Sequence, residues 1–184
     1  MNIATVKKFD IANGPGVRVS LFVSGCRHHC KNCFNKEAWD FNYGNPMTKE
    51  IEKEILDACN PEHITGLSLL GGEPFEKENR AGLISITKKF RELYPEKNIW
   101  CYTGFLLDEE LLKSEDSDIL ELLQNIDVLV DGRFVDELKS AALLFRGSSN
   151  QRIIDVAETL KKGEVVLLPG KWERTMGSGD IYEA

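Results

Sequence analysis

The stretch VRVSLFVSGCRHHCKNC, residues 17–33, joins a strand-like run to a loop that is dense in cysteine. Its first part, Val17–Val23, is rich in β-branched and apolar residues and ends at Ser24 and Gly25, which predicts a buried strand. The loop that follows holds three cysteines in the spacing C-x3-C-x2-C: Cys26, Cys30 and Cys33. A buried strand that runs directly into these thiols predicts a site at one end of a sheet.

Strands and helices alternate along the rest of the chain. Short apolar runs predict further strands over residues 66–70, 98–103 and 126–130. Apolar residues at helical spacing predict helices over residues 48–59, 80–94 and 108–124. Two later segments are less regular: residues 152–156 fit a helix or a strand, and residues 165–168 resemble a strand. This alternation implies βαβ units, so we predict an α/β fold around a parallel sheet.

Length and charge limit the classes of protein that fit. The 184 residues show no linker or repeat, which predicts one domain over residues 1–184 with a loose tail at 171–184. A complete eight-fold βα barrel needs about 250 residues, so the chain is too short for one. Its 23 basic and 30 acidic residues give a net charge of −7, which argues against nucleic acid or anionic lipid as a partner. No apolar run approaches the roughly 18 residues of a membrane span.

The cysteines indicate a reducing compartment. Five cysteines, an odd number, do not fit a closed set of disulfides. The amino terminus lacks the long apolar stretch of a signal peptide, so we expect a cytoplasmic location. Cys59 falls on the apolar face of a predicted helix and Cys101 in a predicted strand, and both are expected to be small core residues. The three loop cysteines remain as candidates for metal binding.

Three thiolates at such short range favour a soft metal centre. A structural zinc ion needs a fourth ligand, which His28 or His29 could supply, but so tight a loop would strain the tetrahedron. We interpret both histidines as exposed loop residues without a functional contact. Three thiolates suit a [4Fe-4S] cluster in which one iron is left open for a substrate or cofactor.

Polar and glycine-rich motifs follow the other predicted strands. GGEP lies at residues 71–74, YTG at 102–104 and DGR at 131–133. In parallel α/β proteins ligand sites collect at the carboxyl ends of the strands. We therefore expect these motifs to meet the cysteine loop at one edge of the sheet.

With these motifs the chain resembles the radical S-adenosylmethionine superfamily. Within it the chain is similar to the glycyl-radical-enzyme activases, and most of all to the family that activates anaerobic (class III) ribonucleoside-triphosphate reductase. The resemblance covers residues 11–156 and implies an incomplete parallel βα barrel of the radical SAM type. The further motifs that carry it are GPGVR at 14–18, CFN at 33–35, IWCYTGF at 99–105, VLVDGRF at 128–134 and RGSSNQ at 146–151.

The resemblance implies a set of binding residues. The three loop cysteines would each bind one iron, and S-adenosylmethionine would chelate the fourth. The residues it assigns to the S-adenosylmethionine site are Asn32, Phe34, Gly71, Gly72, Glu73, Pro74 and Thr103. Asp131 and Arg133 are weaker candidates for the ribose or carboxylate. No side chain is expected to act as a general acid or base.

Two positions depart from the pattern of the superfamily. Asn32 stands before the third cysteine, where many members have an aromatic residue, and Phe34 follows it. Glu73 stands where the reductase activators often have Asp.

The implied activity is reductive cleavage of S-adenosylmethionine to a 5′-deoxyadenosyl radical, which removes hydrogen from a glycine loop of the reductase. No second cluster motif is present, so an external one-electron donor such as flavodoxin is expected. Two alternatives stay open. One is an activase of another glycyl-radical enzyme, of the formate-lyase type. The other is a non-enzymatic zinc or iron–sulfur binding module.

Overall fold

A computed structural model of the chain describes residues 1–173 and shows an α/β fold, as predicted. The strands are β1 (Asn2–Asp10), β2 (Val17–Val23), β3 (Asn45–Pro46), β4 (Ile64–Gly71), β5 (Asn98–Tyr102), β6 (Val128–Asp131) and β7 (Arg152–Asp155). The α-helices are α1 (Lys49–Ala58), α2 (Lys77–Leu93), α3 (Ser117–Leu123) and α4 (Val156–Lys162). No helix among these is long and apolar enough to cross a membrane.

The strands form one open, mixed sheet in the order β3-β1-β2-β4-β5-β6-β7. The four central strands, β2, β4, β5 and β6, are parallel, which agrees with the predicted βαβ units. Both edges are antiparallel, because β1 pairs with β2 and β3 while β7 pairs with β6. The prediction of a parallel sheet is therefore right for the centre and wrong for the edges. The carboxyl ends of β2, β4 and β5 lie side by side and bring three of the motifs together.

The two faces of the sheet differ in what covers them. Ile99 and Cys101 of β5 pack with the four α-helices in the main core, while Trp100 and Tyr102 point to the opposite face. Cys59 and Cys101 are fully buried in the main core, so the prediction that both are core residues is confirmed. The opposite face is covered in part by loops and leaves room for a cavity.

Several helix boundaries follow the sequence pattern. Thr48 caps α1, and its Oγ1 accepts a hydrogen bond of 3.3 Å from Ile51 N, as the pattern over 48–59 predicts. The helix predicted over 108–124 is wrong as a single element. A π-helical turn, Leu107–Leu111, is followed by a break before α3. Asp116 then begins the new helix, because its side chain accepts from Asp118 N at 3.1 Å and caps α3.

The last part of the described chain resolves the ambiguous segments. Residues 152–156 contain β7 and the first residue of α4, so the strand reading is correct for all but the last residue. Residues 165–168 make only an isolated bridge to β7, so the strand predicted there is wrong. Of the predicted loose tail, residues 174–184 lie outside the described residues. Before them, Trp172 packs edge-on against Trp100 and Phe145, with ring centroids 5.9 and 6.0 Å apart.

Candidate metal and cofactor site

A cavity of about 580 Å³ lies at the carboxyl ends of β2, β4 and β5, on the face opposite the helices. Its volume falls within the range of small-ligand sites, roughly 300–1,000 Å³. Nine of the ten residues predicted to bind metal or cofactor line it: Cys26, Cys30, Asn32, Cys33, Phe34, Gly71, Gly72, Glu73 and Thr103. The tenth, Pro74, is buried outside this lining. The fold thus brings the sequence motifs to one place.

The backbone after β2 fixes where the cysteine loop begins. Gly25 N donates to Ala38 O at 2.8 Å, and Cys26 N donates to Trp39 O at 3.2 Å. Gly25 has φ +94°, and a Cβ there would lie 2.2 Å from the Phe41 ring. Only glycine fits this position without strain. The first thiol of the loop is therefore held in a defined place at the end of β2.

The three loop thiols are free and differ in exposure. Cys26 is buried, whereas Cys30 and Cys33 are partly exposed. Burial raises the pKa of Cys26 to about 11, and it also raises the pKa of Cys30. Metal binding must therefore displace a proton from each of these two thiols. Asn35 N donates to Cys33 Sγ at 3.5 Å, a contact that fixes the position of the third sulfur.

Within residues 1–173, no three His, Cys, Asp or Glu side chains converge on the position of a single metal ion. The donor set at the cavity is three cysteine thiols, Cys26, Cys30 and Cys33, on a loop of eight residues. Such a sulfur set is typical of iron–sulfur clusters, in which each thiolate binds its own iron. The residues present therefore fit a cluster.

Glu73 joins three elements of the site. Its side chain is 1% exposed. Oε1 accepts from Thr103 Oγ1 at 2.7 Å and from Phe75 N at 2.9 Å. Oε2 accepts from Gly104 N at 2.7 Å and lies 3.0 Å from His28 Nε2. These four partners fill the acceptor capacity of a carboxylate.

The two glycines of the GGEP motif allow the strands to approach closely. Gly71 has φ +119°, and a Cβ there would lie 2.5 Å from Val23 N. A Cβ on Gly72 would lie 2.4 Å from Gly25 O. Because both obstacles are backbone atoms, the glycines seat this motif against the cysteine loop.

The two residues beside the third cysteine face different surroundings. Asn32 has φ +55°, and its Nδ2 donates to Asp136 Oδ2 at 2.7 Å. Phe34 is 83% exposed although it borders the cavity. Its ring is therefore free to contact a ligand or a partner at the cavity mouth.

The weaker candidates are placed away from the cavity lining. Asp131 is fully buried and accepts from Arg152 Nε and from Leu107 N, both at 2.9 Å. Arg133 is largely exposed and lies 3.9 Å from Glu110. Gly132, between them, does line the cavity.

Sequence reasoning was wrong about His28. The side chain, predicted to be exposed, is only 6% exposed and points inward to Glu73. Its ring also packs edge-on against Phe105, with centroids 4.4 Å apart. His29, by contrast, is exposed and stacks on Trp39. The one signal in the sequence was the position of His28 between Cys26 and Cys30.

Comparisons with known proteins agree with this geometry. A family model described as a 4Fe-4S single cluster domain matches residues 12–154. The chain is 45% identical over 144 residues to an anaerobic ribonucleoside-triphosphate reductase-activating protein of Salmonella typhimurium, covering 77% of this chain and 90% of that protein. It is 43% identical to the protein of the same description from Escherichia coli K12, covering 82% and 96%.

A third relative comes from Enterobacteria phage T4 and carries the same description. The identity is 37% over 153 residues, covering 83% of this chain and 93% of the phage protein. The range of the family model, residues 12–154, includes the cysteine loop and the motifs that line the cavity. The chain therefore belongs to the family of anaerobic ribonucleoside-triphosphate reductase-activating proteins.

Proposed function

We propose that this protein is a radical S-adenosylmethionine enzyme that generates a glycyl radical on anaerobic ribonucleoside-triphosphate reductase. The observation that carries the proposal is the meeting of the cysteine loop with the GGEP and YTG motifs around one cavity, in a chain of this family. When bound, a reduced [4Fe-4S] cluster with S-adenosylmethionine supplies a 5′-deoxyadenosyl radical, which removes hydrogen from a glycine. The residues of the chain bind and orient these groups and keep water away.

Cys26, Cys30 and Cys33 would hold three irons and leave the fourth without a protein ligand. The spacing supports this, because the loop offers no fourth cysteine and its first thiol is fixed at the end of β2. An open position is the feature that separates a catalytic metal site from a closed structural one. S-adenosylmethionine would fill that position.

The remaining cavity residues would hold S-adenosylmethionine. Its ammonium needs acceptors, and Gly71 and Gly72, which border the cavity, would offer backbone carbonyls. The carboxylate of Glu73 is already engaged by four protein groups, so it would support this loop rather than serve as the main acceptor. Phe34 is free to stack on adenine, beside Asn32. Thr103 would lie near the ribose, and Pro74 would stiffen the loop from outside.

The fold would serve as an incomplete βα barrel of the radical SAM type, as one domain over residues 1–184. The open sheet and the placement of the helices on one face support this reading. An incomplete barrel leaves a side through which a protein loop can reach the cofactor. The partner would be the large subunit of the reductase, which presents its glycine loop there.

The electron would come from an external donor such as flavodoxin, because the described residues contain one cysteine loop at the cavity. The five free thiols fit a reducing, cytoplasmic location. No part of this proposal requires nucleic acid or a membrane.

The experiment is reductive cleavage of S-adenosylmethionine by anaerobically prepared protein. Replacing Cys26, Cys30 or Cys33 by Ala should abolish release of methionine. The matched controls are Cys59→Ala and Cys101→Ala, which remove buried thiols away from the cavity and should keep cleavage within about threefold. Substantial cleavage by any loop variant would contradict the assignment.

The same preparation separates the alternative functions. A brown protein with about four irons supports the enzyme, whereas a colourless protein holding one zinc ion supports a binding module. Radical formation on a formate-lyase type enzyme, with none on the reductase, would support a different activase. The names of the relatives favour the reductase.

A further inference from the structure

Among the hydrogen bonds of the described residues, His28 is the one side chain of the cysteine loop that contacts Glu73. Its Nε2 lies 3.0 Å from Glu73 Oε2, and both side chains are almost fully buried. A carboxylate only accepts hydrogen bonds, so His28 donates through Nε2. The contact spans 45 positions in the sequence and ties the loop to the GGEP motif.

The other partners of Glu73 show what this tie controls. Thr103 Oγ1 and Gly104 N, at the end of β5, donate to the same carboxylate at 2.7 Å each. His28 is therefore linked through Glu73 to the residues that follow β5. The His28 side chain thus connects the cysteine loop to the ends of both β4 and β5.

Gly104 makes room for His28. A Cβ on Gly104 would lie 2.4 Å from His28 Cδ2 and 2.7 Å from its Nε2. The ring also packs against Phe105 at 4.4 Å. Gly104 and Phe105, at the end of the IWCYTGF motif, therefore pack around the His28 ring and restrict its rotation.

We propose that His28 is a positioning residue that, through Glu73, holds the span between Cys26 and Cys30 in the orientation that S-adenosylmethionine binding requires. This inference rests on the proposed function. The proposed function of His28 needs only a hydrogen bond, with no covalent bond formed and no electron transferred. Loss of such a supporting contact around a metal site typically costs about 10–100-fold in affinity or activity.

The test compares three variants in anaerobically reconstituted full-length protein. His28→Phe keeps a ring against Phe105 and removes the donor. His28→Gln restores a donor at about the same reach. His29→Phe makes the same substitution at the neighbouring histidine, which stacks on Trp39 and makes no contact with Glu73 in the described structure.

Three readouts are measured: iron per chain, the change in the electron paramagnetic resonance spectrum of the reduced protein on adding S-adenosylmethionine, and kcat and KM for its cleavage. His28→Phe should keep its iron, because the three cysteines remain. Its KM, and the S-adenosylmethionine concentration needed for the spectral change, should rise about tenfold or more. His28→Gln should return to within about threefold of the wild type, and His29→Phe should stay within about twofold.

The inference is overturned if His28→Phe shows the wild-type KM and spectral response, or if His28→Gln is no better than His28→Phe. If His28→Phe loses its iron, the test instead compares His28→Asn with His28→Gln, because only Gln is long enough to reach Glu73. An equal KM and spectral response in these two variants would overturn the inference. A wild-type protein without cleavage would instead contradict the proposed function.

A double-mutant cycle independently tests the close packing of Gly104 against His28. Gly104→Ala should raise KM in the wild type, because the new methyl group displaces the His28 ring. In a His28→Ala background the same change should add less than about twofold, since the obstacle is gone. Equal effects of Gly104→Ala in both backgrounds would contradict the assigned contact.

Discussion

Replacing Arg18 by Met should lower the free energy of unfolding by about 3 kcal/mol. The guanidinium is fully buried, and its Nε donates to Ser68 Oγ at 2.7 Å. Its Nη2 donates to Leu67 O at 2.9 Å and to Asn98 O at 3.2 Å. Burial lowers the pKa of Arg18 to about 10. Relative to its ordinary value of 12.5, this shift represents a cost of about 3 kcal/mol for keeping the charge inside.

Two effects of the substitution oppose one another. Met removes the buried charge and so recovers about 3 kcal/mol. It also leaves four acceptors without their donor, because Arg18 Nη1 donates to Pro15 O at 3.3 Å as well. At about 1.5 kcal/mol each, this larger loss decides the sign. Urea unfolding of the metal-free protein measures the result, with the midpoint lowered and the slope unchanged. Arg133→Met, the same change at an exposed site, should stay within about 0.5 kcal/mol. A loss below about 1 kcal/mol for Arg18→Met would refute the reasoning.

Three further predictions concern the cysteine loop, the GGEP motif and the buried carboxylate of Asp131. Burial raises the pKa of Cys26 to about 11, which lowers its thiolate fraction near neutral pH. In metal-free protein at pH 8, iodoacetamide should therefore label Cys33 before Cys26 by mass spectrometry, and equal labelling would contradict this. Gly72→Ala places a methyl group against the backbone of the cysteine loop and should lower iron content several-fold, a result checked by iron analysis against the wild type. Arg152→Met leaves the buried carboxylate of Asp131 without its ionic partner and should cost about 3 kcal/mol in urea unfolding, so an unchanged midpoint would count against that pairing.

The sequence predicted the central strands and most helices because their patterns are local. Thr48 before an apolar helical face is a local signal, and α1 begins there. Strand β1, which lies between β2 and the two-residue edge strand β3, was missed because exposed residues interrupt its apolar pattern. The helix over 108–124 was overextended because Asp116 looks like an ordinary polar surface residue until its cap contact is seen.

The candidate site was predictable in its members but not in their contacts. The motifs named nine residues that do line the cavity, since strand ends gather them at one edge. The contact between His28 and Glu73 spans 45 positions, and no local pattern encodes it. The close approach at Gly72 likewise depends on two strands that are distant in sequence. Residues whose function comes from long-range packing need the three-dimensional structure.

Arg18 shows how a motif can carry a structural rather than a chemical function. The GPGVR stretch looked like part of the family signature, without an assigned contact. In the structure a Cβ on Gly14 would lie 2.9 Å from Arg18 Cδ, so the glycine makes room for the buried arginine. The motif thus seats a buried arginine against β4 through packing and hydrogen bonds.

The central claim is tested most directly by radical formation on the partner reductase. The anaerobically reconstituted protein is mixed with that reductase, S-adenosylmethionine and a one-electron reductant, and frozen samples are examined by electron paramagnetic resonance. The account predicts an organic radical on the reductase whose splitting changes when its glycines are deuterated, and no radical when Cys26 is replaced by Ala. A radical of equal yield with the Cys26→Ala variant, or none with the iron-loaded wild type, would contradict it.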